Sequence, residues 1–151
     1  MKILILHGPN LNLLGTREPE IYGSQTLSDI ESLCETHAQK CGAECLFRSS
    51  NHEGELIEYI QWARHWADGI IVNPGAYTHT SVALRDALSA IKLPTIELHL
   101  SDPSQREEYR HHSFIRDVCL RTVSGHGADG YAIAFDFLLS HLSGTLGQSA
   151  G

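Results

Sequence analysis

The sequence predicts an α/β protein in which a parallel sheet is covered by helices on both faces. Short apolar runs typical of buried strands alternate along the chain with segments of helical periodicity. A chain of 151 residues with 42% apolar side chains is long enough to form one domain with a substantial core. We therefore expect a single domain over residues 1–143 and a polar, disordered tail over 144–151.

Five apolar runs are predicted to be the strands, and in chain order they read KILILHG, AECLFR, GIIVN, TIELHL and DVCLRTVS. Right-handed crossovers between parallel strands restrict their arrangement. The expected order is 2-1-3-4-5, which is that of a flavodoxin-like three-layer sandwich. In such a sheet the ligand lies beyond the carboxyl ends of the strands, at the switch point between strands one and three.

Capping chemistry and apolar periodicity predict the helices between these strands. Thr26 with Asp29, and Ser50 with Glu53, each match a capping box. The first of these helices is expected to end at Gly42, and the second to run to Gly69. Their apolar stripes are predicted to be Leu27, Ile30, Leu33, Cys34 and Cys41 in the first, and Leu56, Ile57, Ile60, Ala63 and Ala67 in the second. Two further helices are predicted over THTSVALRDALSAI and YAIAFDFLLSHL, and the polar segment SDPSQREEYRHHS is expected to be partly helical.

Polar residues follow three of the predicted strands and should meet at one rim of the sheet. They are Asn10, Arg17 and Tyr22 after the first strand, Asn73, Gly75 and His79 after the third, and His99, Ser101, Arg106 and Arg110 after the fourth. The net charge is −7, so an anion would need a local cluster of arginines. Arg106 and Arg110 would share a face if they lie on one helix, and pairing with Glu107 and Glu108 is the alternative.

Composition argues against several classes of protein. An acidic chain disfavours binding to nucleic acid, which draws on clustered Lys and Arg. No apolar run approaches the roughly 20 residues of a membrane span, and the start MKILILHGPN does not resemble a signal peptide. Four cysteines without a CxxC pair are expected to be reduced, mostly buried thiols, which favours a cytoplasmic protein.

Two motifs have competing interpretations. GHGADG, residues 125–130, matches the GxGxxG dinucleotide fingerprint, but it follows the last strand rather than the first. A tight turn that allows close strand–helix packing is the alternative. His79, His99, His111, His112 and Glu97 could supply metal ligands, yet no HExxH or Cys/His metal spacing occurs, and hydrogen-bonded structural histidines are the alternative.

The longest of these motifs resemble type II 3-dehydroquinate dehydratase (3-dehydroquinase). The resemblance runs from ILHGPNLNLLGTREPEIYG through NPGAYTHTSVALRDAL and IELHLSDPSQREEYRHHS to GHGADGYAIAFDFL. It implies a flavodoxin-like fold and dehydration of 3-dehydroquinate to 3-dehydroshikimate by anti elimination through an enolate, without cofactor or metal. It also implies service in the shikimate pathway of aromatic amino-acid biosynthesis or in quinate breakdown, and a dodecamer built of trimers.

The resemblance also assigns catalytic roles. It implies that Tyr22 is the base, with Arg17 beside it, and that His99 is the general acid, oriented by Glu97. Asn10 is similar to the residue that holds a water against the enolate oxygen. The substrate-binding positions that it implies are Asn73, Gly75, His79, Asp86, Leu100, Ser101, Arg106 and Arg110, of which Asp86 reaches across a trimer interface and Arg106 acts with the tyrosine.

Elementary electrostatics sets a requirement for the tyrosine. Its ordinary pKa of about 10 must fall to near 7 for it to act as a base, which takes about 4 kcal/mol at about 1.36 kcal/mol per unit. One cation within about 4–6 Å supplies about 1–3 units, so Arg17 and Arg106 together meet the requirement. The loop from Asn12 to Gly23, far longer than a usual connection of about 2–6 residues, is then interpreted as a lid hinged at Gly15 and Gly23.

Two rival functions belong to other classes. A flavodoxin-like ligand-binding or signalling module needs no base–acid pair, and a phosphate receiver would show acidic residues where this sequence has HGPN. A metal-dependent hydrolase would lose its activity on treatment with a chelator.

Overall fold

The computed structural model describes residues 1–16, 18–22 and 24–144, without the side chains of residues 21 and 22. These residues contain a five-stranded sheet in the order β2-β1-β3-β4-β5, and every neighbouring pair is parallel. The strands are β1 (Lys2–His7), β2 (Glu44–Ser49), β3 (Gly69–Asn73), β4 (Thr95–His99) and β5 (Arg121–Ser124). The predicted topology is thereby confirmed. The predicted tail from residue 145 onward lies outside the described residues.

Helices cover both faces of the sheet, as predicted. They are α2 (Leu27–Lys40), α3 (Glu53–Ala63), α4 (Val82–Ile91) and α5 (Asp129–Leu142), whereas the four-residue α1 (Pro19–Tyr22) lies in the long loop after β1. Side chains of β1 alternate between two cores: Ile3 and Ile5 pack with α2 and α5, whereas Leu4 and Leu6 pack with α3 and α4. Both faces are apolar because both are covered, which is why the strands read as continuous apolar runs.

One of the two predicted capping boxes forms. The Thr26 hydroxyl accepts from the Asp29 amide, and the Asp29 carboxylate accepts from the Thr26 amide, so α2 begins at Leu27. The box at Ser50 does not form, because the Ser50 hydroxyl accepts from the amide of His52, only two residues on. His52 is the N-cap of α3, without a side-chain capping bond.

Several predicted boundaries are wrong because turns, most of them short 3₁₀ turns, replace regular structure. Helix α3 ends at Ala63 rather than near Gly69, and Gly69 begins β3. A 3₁₀ turn at Gly75–His79 delays the start of α4 to Val82. Another at Arg116–Val118 occupies the expected beginning of β5. The polar segment after β4 contains two such turns, Pro103–Gln105 and Glu108–Arg110, so Arg106 and Arg110 do not share one helix.

The backbones of the loops after β1 and β3 are in close contact, which requires glycine at two positions. A Cβ on Gly8 would lie 2.4 Å from the carbonyl oxygen of Pro74. Gly75 has a φ of +59°, and a Cβ there would lie 3.0 Å from the carbonyl oxygen of Pro9. These contacts bring the polar ends of β1 and β3 together.

The GHGADG motif is a tight turn between β5 and α5. Its first two glycine amides are already used, since Gly125 donates to Ser101 and Gly127 to Leu100, each at 3.0 Å. Gly130 faces Val123 of β5, where an added Cβ would lie 3.4 Å from the valine Cγ1. The turn therefore holds the loop after β4 in place, and these two amides do not cradle a phosphate.

The four cysteines are free thiols, but they differ in exposure. Cys34 is buried and Cys45 is half-buried, and burial raises their pKa values to about 12 and about 11. Cys41 is exposed, contrary to its predicted place on the apolar stripe of α2, because the helix ends at Lys40 and Cys41 is its C-cap. Among the helices of the described residues, none combines the length and apolarity needed to cross a bilayer.

Candidate active site

A cleft lies at the carboxyl edge of the sheet, where β1, β3 and β4 end. It measures about 630 Å³ with its open mouth included. Its lining comes from the loops that follow these three strands, and consists of Pro9, Asn10, Leu11, Asn73, Gly75, Ala76, His79, His99, Leu100, Ser101, Pro103, Arg106 and Arg110. The cleft occupies the switch point that the strand order predicts.

Most of the predicted site residues lie in or directly under this cleft. Nine of them line it: Asn10, Asn73, Gly75, His79, His99, Leu100, Ser101, Arg106 and Arg110. Glu97 lies beneath His99. Asp86 is elsewhere, exposed on α4. Arg17 and Gly23 lie outside the described residues, and of Tyr22 only the backbone, at the end of α1, is described.

His99 and Glu97 form a buried pair at the end of β4. Side chains two apart on a strand point to the same face, so the two groups meet beside Leu98. The Nε2 of His99 lies 2.6 Å from Oε2 of Glu97, and the carboxylate has no exposed surface. A carboxylate can only accept, so His99 donates from Nε2.

Hydroxyl groups complete the surroundings of Glu97. Thr78 donates to Oε2 at 2.7 Å, and Ser113 lies within 3.0 Å of both carboxylate oxygens. Burial alone would raise the pKa of Glu97, but the hydrogen bonds from His99, Thr78 and Ser113 outweigh it and hold the pKa below its usual range. Glu97 is therefore ionised at neutral pH and fixes the orientation of the imidazole.

His79 reaches the cleft as a neutral imidazole. Its Nδ1 lies 2.7 Å from the carbonyl oxygen of His112 and donates to it. Burial lowers the pKa of His79, and the positive charges of His99 and Arg110 lower it further. Because Nδ1 carries the proton, Nε2 is a hydrogen-bond acceptor, suited to a hydroxyl group.

Two arginines give the cleft its local positive charge. Arg106 and Arg110 are both largely covered, with 16% and 19% of their side chains exposed. Arg110 Nε donates to Glu107 Oε2 at 2.7 Å, while Arg106 Nε lies 3.9 Å from the same oxygen. Both alternatives for these arginines therefore hold in part: they line the cleft and they pair with Glu107. The cluster supplies cations for an anionic ligand in a protein of net charge −7.

A chain of hydrogen bonds supports the floor of the cleft. Asn73 accepts from the Gly75 amide at 3.1 Å, and its side chain also interacts with the hydroxyl of Tyr131. That hydroxyl lies 2.8 Å from Nε2 of His7. Burial lowers the pKa of His7 to about 4, so the ring is neutral, and its buried Nδ1 has no partner among the described residues. The side chain of Asn73 is thus oriented from both sides.

The long loop after β1 is anchored at its beginning. Asn10 has a φ of 69°, a left-handed conformation that asparagine tolerates, and its amide donates to Asn51 Oδ1 at 2.9 Å. Leu11 and Leu14 are buried against the core beside α2. The first part of the loop therefore belongs to the packed fold, and Asn10 is held at the rim.

Three of the four histidines considered as metal ligands are hydrogen-bonded through their rings within the protein, and the ring of His112 packs edge-on against Phe114. His99 bonds to Glu97, His79 to the His112 carbonyl, and His111 Nε2 to the carbonyl of Arg106 at 3.0 Å. In the described parts of the chain, no three His, Cys, Asp or Glu side chains of the cleft converge as metal ligands would.

Sequence reasoning missed four residues of this site. Thr78 and Ser113 bond to Glu97, and His7 and Tyr131 support Asn73. Thr78 and Ser113 lie in the turns that contain THT and HHS, and these turns have no periodic pattern that could have indicated them. His7, however, ends an apolar strand, and a polar residue at the end of a buried strand could have indicated it.

Comparisons with known proteins show the family of the chain. A family model described as Dehydroquinase class II matches residues 1–139. A 3-dehydroquinate dehydratase from Dinoroseobacter shibae is 54% identical over 143 residues, which are 95% of each chain. A catabolic 3-dehydroquinase 1 from Neosartorya fischeri is 54% identical over 134 residues, which are 89% of each chain. The crystal structure of type II dehydroquinase from Butyrivibrio crossotus has a TM-score of 0.91 at 44% identity and covers 93% of this chain and 98% of its own.

The fold and the cleft define a flavodoxin-like α/β protein with a polar cleft at the carboxyl edge of its sheet. Within that class the chain belongs to the class II dehydroquinase family, and it is a type II dehydratase.

Proposed function

We propose that this enzyme dehydrates 3-dehydroquinate to 3-dehydroshikimate by anti elimination through an enolate. The observation that carries the proposal is the buried Glu97–His99 pair, open to a cleft lined by two arginines. Loss of water from a β-hydroxy ketone needs a base for the α-proton, a stabiliser for the enolate and an acid for the departing hydroxyl. The relatives that carry the name 3-dehydroquinate dehydratase support this substrate.

His99 acts as the acid. Since its Nε2 donates to the ionised Glu97, Nδ1 is the ring nitrogen left to pass a proton to the departing hydroxyl. The carboxylate also stabilises the imidazolium form that precedes this transfer. Glu97 is therefore a positioning residue, and it does not itself touch the substrate.

Tyr22 acts as the base, with Arg17 and Arg106 stabilising its phenolate. This assignment rests on the family resemblance of the EPEIYG segment and on the location of Arg106 in the cleft. Closure over the substrate of the part of the Asn12 to Gly23 loop that lies beyond the hinge at Gly15 would exclude water and strengthen the attraction between arginine and phenolate. Asn10, held at the rim by Asn51, orients a water toward the enolate oxygen.

The substrate carboxylate binds at the ends of β3 and β4. Asn73 is oriented for this contact by Gly75 and Tyr131, and the backbone amides of Leu100 and Ser101 complete the site. His79 accepts from a ring hydroxyl through Nε2, and Arg110, which also lines the cleft, contacts a hydroxyl as well.

The reaction needs no cofactor or metal in this proposal and takes place in the cytoplasm, in the shikimate or the quinate pathway. The active particle is a dodecamer built of trimers, and Asp86 completes the site of a neighbouring copy. Its exposed position on α4, away from the cleft of its own chain, is compatible with that role.

The test is a direct assay with 3-dehydroquinate that follows the absorbance of the conjugated enone product. Tyr22→Phe should lower kcat by about 10²–10⁴-fold, the usual contribution of a general base, and leave the fold intact. Tyr59→Phe is the matched control, because the Tyr59 hydroxyl donates to Glu55 on α3 and Tyr59 does not line the cleft. Retention of half the wild-type activity by Tyr22→Phe would rule out the assignment of the base, and a wild-type protein without dehydratase activity would rule out the proposed reaction.

A further inference from the structure

Three different metal-ligating side chains converge between α2 and α5, outside the cleft. His37 and Cys41 are four residues apart at the end of α2, so they share a face, and Asp136 faces them from α5. His37 Nε2 lies 2.8 Å from Asp136 Oδ1, Cys41 Sγ lies 3.7 Å from His37 Nε2, and Cys41 Sγ lies 3.9 Å from Asp136 Oδ1. The three donor atoms therefore form a compact triangle.

The dimensions of this triangle resemble one face of a tetrahedral zinc site. Zinc bonds of about 2.0–2.3 Å to nitrogen, oxygen and sulfur place neighbouring donor atoms about 3.3–3.7 Å apart. The two sulfur edges of the triangle are close to this range, and the shorter His37–Asp136 edge needs to open by only about half an ångström to match it. A small rotation of the exposed Asp136 side chain is enough, since 64% of it is accessible.

The donor types indicate which metal fits. A thiolate, an imidazole and a carboxylate together suit a borderline-soft ion such as Zn²⁺, whereas Mg²⁺ and Ca²⁺ prefer oxygen ligands alone. The fourth position opens onto a surface pocket lined in part by Met1, Ser140 and Ser143, which leaves room for a water ligand.

The cluster lies at the end of the sheet opposite the cleft. Its neighbours Met1 and Ala43 directly precede β1 and β2, so the pocket is at the amino edge, whereas the cleft is at the carboxyl edge. A metal here would join α2 to α5, the two helices that cover one face of the sheet.

We propose that His37, Cys41 and Asp136 bind one zinc ion per chain and that this ion clamps α2 to α5. Binding releases the Cys41 thiol proton to solvent, while the imidazole keeps a single proton, on Nδ1, and frees Nε2 for the metal. The fourth ligand is water. Because the ion binds only the folded arrangement of the three side chains, it stabilises the folded chain without taking part in the reaction in the cleft.

The test uses the full chain, stripped with a chelator and then titrated with Co²⁺, which gives a thiolate-to-metal charge-transfer absorption when a cysteine binds it. We expect one equivalent of Co²⁺ per chain with this absorption, displacement by Zn²⁺, and a higher melting temperature in the presence of Zn²⁺. Cys41→Ser should abolish the absorption, and His37→Gln and Asp136→Asn should each weaken Zn²⁺ binding at least tenfold. All three variants should keep the dehydratase activity of the wild type.

Cys45→Ser and His141→Gln are the matched controls, since Cys45 lies on β2 and His141 at the end of α5, both outside the cluster. Both should titrate like the wild type. Circular dichroism of each metal-free variant separates loss of a ligand from loss of fold, and melting with and without Zn²⁺ gives a second measure in any variant that is weakened. A charge-transfer band that persists in Cys41→Ser, or Zn²⁺ affinities of all three variants within twofold of the wild type, would overturn the proposal and leave a plain His37–Asp136 hydrogen bond beside a thiol.

Discussion

The ionised form of Glu97 is stabilised by hydrogen bonds within the protein rather than by water. It has no exposed surface, and its oxygens receive hydrogen bonds from an imidazole and from hydroxyl groups. Hydrogen bonds to a charged group contribute about 1.5–3 kcal/mol each, so the hydroxyl donors add to the larger effect of the imidazole. A change at Thr78 or Ser113 should therefore affect catalysis without any contact with substrate.

We expect Thr78→Val to lower kcat at neutral pH and to move the acidic limb of the pH–kcat profile to higher pH. The hydrogen bond from the Thr78 hydroxyl favours the ionised form of Glu97. Removal of this bond therefore raises the pKa of the carboxyl and moves the acidic limb upward. Thr95→Val is the matched control, because Thr95 is also buried but bonds to the carbonyl of Leu93. An unshifted acidic limb in Thr78→Val would contradict the proposed role of the hydroxyl.

His7 makes the free energy of unfolding depend on pH between about 4 and 6.5. Its pKa falls from 6.5 to about 4 on burial, so between these values the unfolded chain binds more protons than the folded one. The free energy of unfolding should thus be constant above about pH 6.5 from this group and fall by up to about 3 kcal/mol as the pH drops to 4. Urea unfolding at a series of pH values measures this slope.

His7→Gln should flatten that slope, whereas His126→Gln, which changes an exposed histidine, should leave it as in the wild type. A wild-type stability that stays level from pH 6.5 to pH 4 would show that His7 does not contribute in this way. Glu97 acts at lower pH, because its pKa lies below the usual carboxyl range and its stabilising contribution is lost only as the pH falls through that depressed value.

At the scale of the element, the sequence predicted interiors better than ends. Strands were recognisable because a sheet covered on both faces leaves continuous apolar runs, as in the fully buried Gly69–Asn73. Ends depend on competing hydrogen bonds: Ser50 bonds to the amide of His52 and so does not cap α3. Likewise the 3₁₀ turn at Arg116–Val118 displaced the expected start of β5.

The residues of the candidate site likewise fall into two groups, those that the sequence predicts and those that it does not. Residues that follow strands directly, such as Asn73 and His99, were predictable because strand order fixes where strand ends meet. Thr78 and Ser113 were not, because their contact with Glu97 depends on the path of two irregular turns. Local pattern carries little information about such paths.

The end of α4 offers a test of helix termination. Lys92 is its C-cap and has a φ of 58°, a conformation that costs a side chain with a Cβ about 1–2 kcal/mol. Lys92→Gly should therefore raise the free energy of unfolding by about 0.5–1 kcal/mol after the entropy cost of glycine is subtracted. Lys40→Gly, the same change in the right-handed last turn of α2, should lower it by about 0.5–1 kcal/mol. Urea midpoints compare the two, and equal destabilisation would refute the argument.

At the scale of the whole molecule, Asp86 determines whether one copy or several copies form each site in our proposal. Asp86 is exposed on α4, and its neighbour Arg85 bonds to Asp117 and to the carbonyl of Phe114 rather than to Asp86. Among the ion pairs of the described residues, none includes Asp86. Its exposed carboxylate is therefore available to contact the site of a neighbouring copy.

We expect light scattering to show an assembly of at least a trimer, and Asp86→Ala to reduce turnover and assembly together. Glu58→Ala, which removes an exposed acidic side chain from α3, should change neither property. A wild-type monomer with full turnover would exclude a site shared between copies, and would leave the assignments of Tyr22 and His99 unaffected.

The support of Asn73 by Tyr131 has a consequence for how the protein is made. Tyr131 belongs to the last helix, and the hydroxyl that it places beside His7 arrives 124 residues later in the chain. During synthesis on the ribosome, every residue that lines the cleft emerges before this support does. We therefore expect a nascent chain interrupted ahead of α5 to carry the lining of the cleft without the support of Tyr131, so that competence to bind substrate arises only after α5 has been synthesised.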